Sequence, residues 1–434
     1  MSPFMGAYQE IVRELYKNLP NQTQELAPQV KNKLLQIPEA ALPYYMGKKF
    51  PPFELWSGKK ITFLQAYQKE VRKKPKNITE IKRNLLLVPT PVVQLFVPDP
   101  KYDQPKPLAN LGNTCYLNAL IQCLYNIDYL TYFCLLAHES NYYDKKGSIP
   151  DLYINLVYGL RSSQKGIDLK ELQPFASKFS SVIGKGKRWN QEDATEAFSI
   201  FLRYFWKEDT RYPNLQKFDF FNPYEIHPLG KVIKITTEDI IKRIRLSTAT
   251  PTITTLPIEA SRIADTGWLD MHIQDGQGKI FTTLQQCFDS FFQEGEIDYT
   301  PGSHQEGDYY TKQFKILELS DIVLIGLKRY YTIGGTSDIP FYPFKIIQSI
   351  KIPFEINFNP YYKEPPQTTS IYNLTAFAQH IGGGIRVGHY VAYVKKANQW
   401  YKCNDSRISK VSNIKEVQEA ANLAYFFVYK KRYL

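Results

Sequence analysis

Apolar residues recur at helical spacing through the first half of the chain. Tyr8, Ile11, Val12, Leu15 and Leu19 share one face, as do Leu26, Val30 and Leu34. This predicts two short helices, and a further amphipathic stretch follows near Ile61 to Val71. Prolines at 38, 43, 51 and 52 interrupt the pattern. Six more, at 89, 91, 98, 100, 105 and 107, punctuate the approach to residue 108. A domain boundary or extended linker is expected there, separating residues 1–107 from 108–434. From 108 to about 206 the period is again helical. Leu117, Leu120, Ile121 and Leu124 form one face, and Ala194, Ala197, Phe198 and Phe201 form a later one.

After Pro213 the pattern changes to short runs rich in Ile, Val, Thr and Phe, which read as strands. They are Lys231 to Thr236, Thr252 to Ile258, Phe314 to Leu319, Ile322 to Leu327 and Ile346 to Ile352. Four more strands are expected at Tyr372 to Gln379, His389 to Lys395, Gln399 to Asn404 and Ala424 to Tyr429. A helical lobe followed by a strand-dominated lobe predicts an α+β architecture. No internal repeat is present.

Composition narrows the class without naming a function. Of 434 residues, 43% are apolar and 22% charged, the profile of an ordinary globular chain. No run approaches the roughly 18 apolar residues of a membrane span, so no transmembrane segment is expected. The N-terminus lacks a basic segment followed by an apolar block, and five cysteines show no framework spacing. A reducing, cytosol-like compartment is therefore expected. The net charge of +12 is concentrated at the front, where residues 1–107 hold 17 Lys/Arg against 9 Asp/Glu. Its densest part is Lys69, Arg72, Lys73, Lys74 and Lys76. This is either a solvated basic face or a contact for acidic lipid or an acidic protein; without stacking aromatics or a groove-reading motif, nucleic acid is disfavoured.

Candidate chemistry gathers at two places. Gly112, Asn113 and Thr114 precede an amphipathic run, so Cys115 should open a helix, where unpaired amides and the positive dipole end favour a thiolate. Alternatively it is a small buried side chain. Asn110, five residues upstream, either donates to a developing oxyanion or shapes its own turn. Near the C-terminus, His389 opens one predicted strand and Asn404 and Asp405 end the next. That arrangement sets a base beside its orienting partner. His380, on an otherwise apolar strand, reads as structural.

These segments carry a resemblance. Leu108-Ala-Asn-Leu-Gly-Asn-Thr-Cys-Tyr-Leu-Asn-Ala-Leu-Ile-Gln-Cys-Leu124 resembles the Cys box of the ubiquitin-specific proteases, and Gly388-His-Tyr-Val-Ala-Tyr393 with Trp400 to Asp405 resembles their His box. Gln191-Glu-Asp-Ala-Thr-Glu196, Leu324-Ile-Gly-Leu-Lys-Arg-Tyr330 and Ala424-Tyr-Phe-Phe-Val-Tyr429 are similar to further family segments, in the family's order. The resemblance implies a papain-like core with helical thumb and strand-rich palm and fingers. It implies Cys115 as nucleophile, His389 as base, Asn404 as third member, Asn110 as oxyanion donor and Asp405 assisting nearby. It further implies ubiquitin or its conjugates as partner, cleavage after the terminal Gly-Gly, and no cofactor. Tail contacts are expected from Gln191, Asp193, Glu196, Gly388 and Tyr390. For Asp193 and Glu196 the other reading is a solvated acidic face. For Gly382 to Gly384 it is a plain tight turn rather than a loop closing over the tail.

The chain departs from the family pattern at several points. Many members carry two Cys-x-x-Cys pairs that bind zinc in the fingers; here Glu296 to Gly307 holds one His and no Cys, so no metal site is expected. Glu192 stands where the family has a second Gln, and Ala197 replaces a larger apolar residue. Residues 1–107 match no family segment and are expected to form a helical accessory region for a partner, a chain linkage or a membrane surface. Two alternatives stay open: a protease for another ubiquitin-like modifier, and an inactive ubiquitin-binding scaffold.

Overall fold

A computed structural model of the chain describes residues 104–139, 145–162, 166–183, 193–208, 233–246, 253–299, 301, 308–333, 342–366, 370–384 and 387–432. The helices expected before residue 104, and Gln191, lie outside the described residues. The chain divides into two compact units, the first holding residues up to 192, 196–220 and 395–410, the second holding 193–195, 221–394 and 411–434.

The first unit is mainly helical. It contains α1 (Cys115–Tyr125), α2 (Asp128–Glu139), α3 (Ile149–Ser162), α4 (Leu169–Ile183) and most of α5 (Ala194–Lys207). All eleven residues of α1 are buried, so its polar members must find partners inside the protein. The Gln122 amide donates to Lys106 O at 2.6 Å and the Asn118 amide to Ala109 O at 3.1 Å. These two bonds lay the extended segment 106–110 along the helix. Tyr153 on α3 centres an aromatic cluster, with Phe175 of α4 at 5.5 Å and Phe201 and Phe205 of α5 at 4.7 and 5.7 Å between ring centroids. Each fully buried aromatic of this kind contributes about 1.5–3 kcal/mol through removal from water.

The second unit is built from sheets. Strands β1 (Ile235–Leu246) and β2 (Ile253–Thr266) form a long antiparallel hairpin. With β4 (Gly295–Ile297) and β5 (Asp308–Leu319) they make a four-stranded sheet ordered β2-β1-β5-β4. In the other sheet, β3 (Leu269–His272) lies parallel to β6 (Ile322–Lys328). Next come β14 (Ala424–Lys431), β10 (Ile371–Ile381) and β11 (His389–Lys396), all antiparallel, with β9 (Glu355–Asn357) also on β10. A separate hairpin joins β7 (Tyr330–Ile333) to β8 (Tyr342–Lys345). β12 (Gln399–Asn404) and nearly all of β13 (Arg407–Val411), neighbouring strands, belong instead to the first unit.

No cysteine lies in the four-stranded sheet, and ion pairs tie it across its strands instead. Arg243 and Arg245 of β1 both meet Asp308 of β5, at 2.7 and 2.8 Å through their Nε atoms, and the Asp308 side chain is fully buried. Lys242 pairs with Glu294 at 2.5 Å and Lys312 with Asp239 at 2.9 Å.

Several elements differ from the sequence expectation. The strand expected at Ile346 to Ile352 forms no ladder. Ile346, Ile350 and Ile352 are buried as alternation demands, but their amides go one by one to Arg329 O, Asn422 O and Asn422 Oδ1. The strand expected from Lys231 begins at Ile235 and runs on through the charged stretch Glu238 to Arg245. Two helices were not anticipated, α6 (Leu284–Phe292) and α7 (Ile414–Ala421). Thr283 and Gln286 close a capping box on α6, and Asn413 caps α7 through Lys415 N at 3.0 Å.

Candidate active site

In the first unit, the segment before α1 is wound into a tight bend by one side chain. Asn110 Oδ1 accepts from Gly112 N at 2.9 Å and from the Thr114 hydroxyl at 3.2 Å, while Thr114 Oγ1 accepts from Leu111 N at 3.0 Å. Gly112 and Asn113 sit at φ of +92° and +52°, the left-handed region that Gly and Asn tolerate best. Because the Thr114 hydroxyl is used upstream, it makes no capping bond to α1. Cys115 therefore begins the helix at its positive end, 3% exposed. The other four cysteines have different surroundings. Burial drives the thiol pKa of Cys123, Cys134 and Cys403 far up and that of Cys287 to about 12, so they stay protonated.

The turn after β12 is fastened to this bend. Asp405, at φ +52°, accepts from the Asn110 amide at 2.8 Å and from the Asn118 amide at 2.7 Å, and its carbonyl accepts from Leu108 N at 3.0 Å. Asn404 precedes it as the last residue of β12, half-buried. One unit thus holds Cys115, Asn110, Asn404 and Asp405. The Asn110 oxygen shapes the turn, and its NH₂ carries two hydrogens, of which the Asp405 bond uses one. Asn118 lies within the Cys box but is not among the expected site residues; the signal for it is a buried polar pair, Asn118 and Gln122, one turn apart on a largely apolar helix.

His389 belongs to the second unit, where it opens β11 opposite Ile381, with Tyr390 opposite His380. Gly388 leads into it under tight constraint. A Cβ at Gly388 would lie 2.2 Å from His380 Nε2 and 2.5 Å from Ile381 O. His380 is 4% exposed, its ring tilted over Tyr390 at 4.6 Å and edge-on to Tyr425 at 5.9 Å. Burial, helped by the charges of Lys345 and His389, lowers its pKa to about 4. It is a neutral structural residue, as its apolar strand suggested.

Of the expected tail contacts, Asp193 caps α5 by accepting from Thr195 N at 2.8 Å. Its second oxygen lies 3.5 Å from the Tyr390 hydroxyl, the outer limit of a hydrogen bond. Glu196 is exposed. Gly388, Tyr390 and Asp193 share the second unit and Glu196 the first. Among the described residues no group of three or more His, Cys, Asp or Glu could hold a metal, and no helix is long and apolar enough to cross a membrane.

Comparison with known proteins adds independent information. The family model described as ubiquitin carboxyl-terminal hydrolase matches residues 107–429. Ubiquitin carboxyl-terminal hydrolase 25 of Arabidopsis thaliana is 30% identical over 336 residues, covering 74% of this chain and 47% of that protein. Ubiquitin carboxyl-terminal hydrolase 21 of the same plant is 24% identical over 334 residues, 74% of this chain and 41% of its own. The chain therefore spans less than half the length of these curated relatives. Among solved structures, the SAGA Ubp8/Sgf11/Sus1/Sgf73 DUB module bound to ubiquitin aldehyde aligns with a TM-score of 0.60 at 18% identity, covering 98% of each chain. The module bound to monoubiquitin gives 0.58 at 20% identity, covering 78% of this chain and 71% of the other. At such identity the likeness establishes the mixed helix and strand fold.

Proposed function

The chain belongs to the ubiquitin carboxyl-terminal hydrolase family, and from that premise we propose that it is a thiol-dependent deubiquitinase. It hydrolyses the peptide or isopeptide bond after the terminal glycine of ubiquitin. The observation that carries this reading is the bend at 110–114, which sets Cys115 at the head of a buried helix and fastens that bend to the turn bearing Asn404 and Asp405. A helix N-terminus held this firmly favours the thiolate and presents donors to a developing oxyanion.

In the proposed cycle His389 takes the Cys115 proton, and Sγ attacks the terminal glycine carbonyl of ubiquitin. The second Asn110 Nδ2 hydrogen and backbone amides at the start of α1 receive the oxyanion. The tetrahedral intermediate collapses, the C–N bond breaks, and the imidazolium protonates the departing lysine amine. Water then attacks the thioester with His389 as base, releasing the ubiquitin carboxylate and the Cys115 thiol. Asn404 orients the imidazole by accepting its Nδ1 hydrogen. Since Asn is neutral, it stabilises the imidazolium less than an Asp would, a smaller loss where thiolate and imidazolium rest as an ion pair. The related module bound to ubiquitin aldehyde supports this substrate, because an aldehyde places an electrophilic carbon at the tail's end.

The test is covalent capture. Ubiquitin carrying a C-terminal thiol-reactive electrophile should label the protein one to one, and Cys115→Ala should abolish labelling. Labelling only by another ubiquitin-like modifier would replace the substrate. Ubiquitin binding without any adduct would replace the enzyme with a scaffold.

A further inference from the structure

We propose that Lys345 is a positioning residue for the catalytic base: its ammonium group holds the close approach, or neck, between Gly382 and Gly388 and so fixes the strand start that carries His389. The inference rests on the reading of His389 as base, and it concerns a residue outside every motif that led to that reading.

Lys345 ends β8, opposite Tyr330 in the β7–β8 hairpin. Its Nζ lies 3.1 Å from His380 Nδ1 and 3.1 Å from His380 O, and it also donates to Gly382 O. An ammonium has three hydrogens and no acceptor, so these three partners use it completely. The same fact assigns the His380 tautomer. Nδ1 must accept, and the ring hydrogen therefore sits on Nε2, the atom facing Gly388.

The neck itself is backbone against backbone. Gly382 has φ +126°, and a Cβ there would lie 3.0 Å from Gly388 Cα and 3.1 Å from Val387 O. Below the neck, Tyr425 supports both members, its ring 5.6 Å from Lys345 Nζ and 5.9 Å from the His380 ring. Lys345 holds the carbonyls at the outgoing side of the neck, His380 fills the space under Gly388 on the returning side, and His389 follows immediately. Partial burial and the nearby Arg329 both act against the Lys345 charge. An amine kept in such a place stays charged because its three acceptors compensate for lost water. A group used only for packing needs no such arrangement, since an apolar side chain would fill the volume without the desolvation cost.

The experiment compares wild type, Lys345→Met, Lys345→Gln and His389→Ala on ubiquitin bearing a C-terminal fluorogenic amide, together with ¹H–¹³C spectra of the six histidines. Lys345→Met should lower kcat by about tenfold or more with KM within about threefold, because misplacing a base affects the chemical step rather than binding. Lys345→Gln, which keeps two donors, should fall between. The His389 resonance should shift or broaden in Lys345→Met while those of His138 and His272 stay in place. A kcat within about twofold of wild type and an unmoved His389 resonance would overturn the proposal. If His389→Ala keeps wild-type turnover, the base assignment fails on its own, and the His389 resonance in Lys345→Met then decides whether Lys345 holds the neck. Should Lys345→Met lose cooperative unfolding, Lys345→Gln carries the same comparison.

Discussion

Asp405→Asn is the sharpest probe of how the nucleophile's bend is held. The wild-type carboxylate receives two amide donors, Asn110 at 2.8 Å and Asn118 at 2.7 Å. Replacing one oxygen by NH₂ keeps an acceptor for one of them and sets two donors against each other at the second. A hydrogen bond to a charged group contributes about 1.5–3 kcal/mol. Asn110 is exposed and water replaces what it loses, so its bond belongs at the low end. Asn118 is 2% exposed and has no such recourse. The expected cost is therefore about 2–3 kcal/mol, a fall of roughly 5 °C or more in the first unfolding transition. Turnover should suffer more than stability, because displacing a catalytic group by about 1 Å costs on the order of 100-fold.

Two measurements separate those effects. The kcat on a ubiquitin C-terminal amide should fall about 100-fold. Alkylation of Cys115 by iodoacetamide, which needs the thiolate but no oxyanion donor, should change only a few-fold. Adding Asn118→Ala to Asp405→Asn should cost less than the two separately, since both remove the same bond. Wild-type kcat and an unshifted transition in Asp405→Asn would refute the argument that this carboxylate holds the bend.

Gly388→Ala brings a methyl within 2.2 Å of His380 Nε2; expect a folded protein with kcat reduced about 100-fold or more, measured on the same substrate. His380 has a folded pKa of about 4 against an ordinary value of 6.5, so the unfolded chain binds more protons in that window. Stability should be intact above pH 6.5 and decline as pH falls toward 4, by about 3 kcal/mol at most. Urea unfolding at several pH values checks it, and a histidine resonance titrating above pH 6 for His380 would contradict it. Asp308→Ala strands Arg243 and Arg245 together; the loss should be about 3 kcal/mol, read by urea midpoint, with added zinc giving no recovery. Deleting residues 1–107 should change preference among ubiquitin chain linkages, and equal cleavage of every linkage before and after would remove that role.

The sequence was most informative where a short run of residues determines its own conformation. Ile322 to Leu327 is a strand because a short, continuous apolar run rich in Ile and Val suits one buried on both faces, and Gln399 to Asn404 because aromatic residues are set between polar ends. Ile346 to Ile352 is as rich in Ile and is no strand, because its amides are taken by Arg329, Asn422 and Thr282, partners that no local pattern announces. β1 shows the converse. Glu238, Asp239, Lys242, Arg243 and Arg245 look like a solvated loop, yet opposite charges on neighbouring strands make them a paired ladder. Helix α6 is announced only by its capping box, Thr283 and Gln286, because it is short and set among strand-rich segments.

The same distinction explains the site. Cys115, His389 and Asn404 are conspicuous because their chemistry is rare at a helix start or a strand end. Asn118 and Lys345 are ordinary residue types on ordinary elements, and their roles depend on partners 287 and 35 residues away. What makes them informative is a polar group withdrawn wholly (Asn118) or partly (Lys345) from water with every hydrogen used. A thiol protease needs a nucleophile and a base each fixed to a fraction of an ångström. In the first unit a carboxylate fixes the nucleophile's bend; in the second an ammonium fixes the neck beside the base. In each the fixing charge sits one step behind the reacting residue, where substrate need not displace it. Substituting either should therefore leave ubiquitin's KM nearly constant while kcat falls, and a KM that rises in step with falling kcat would show that these charges bind substrate instead.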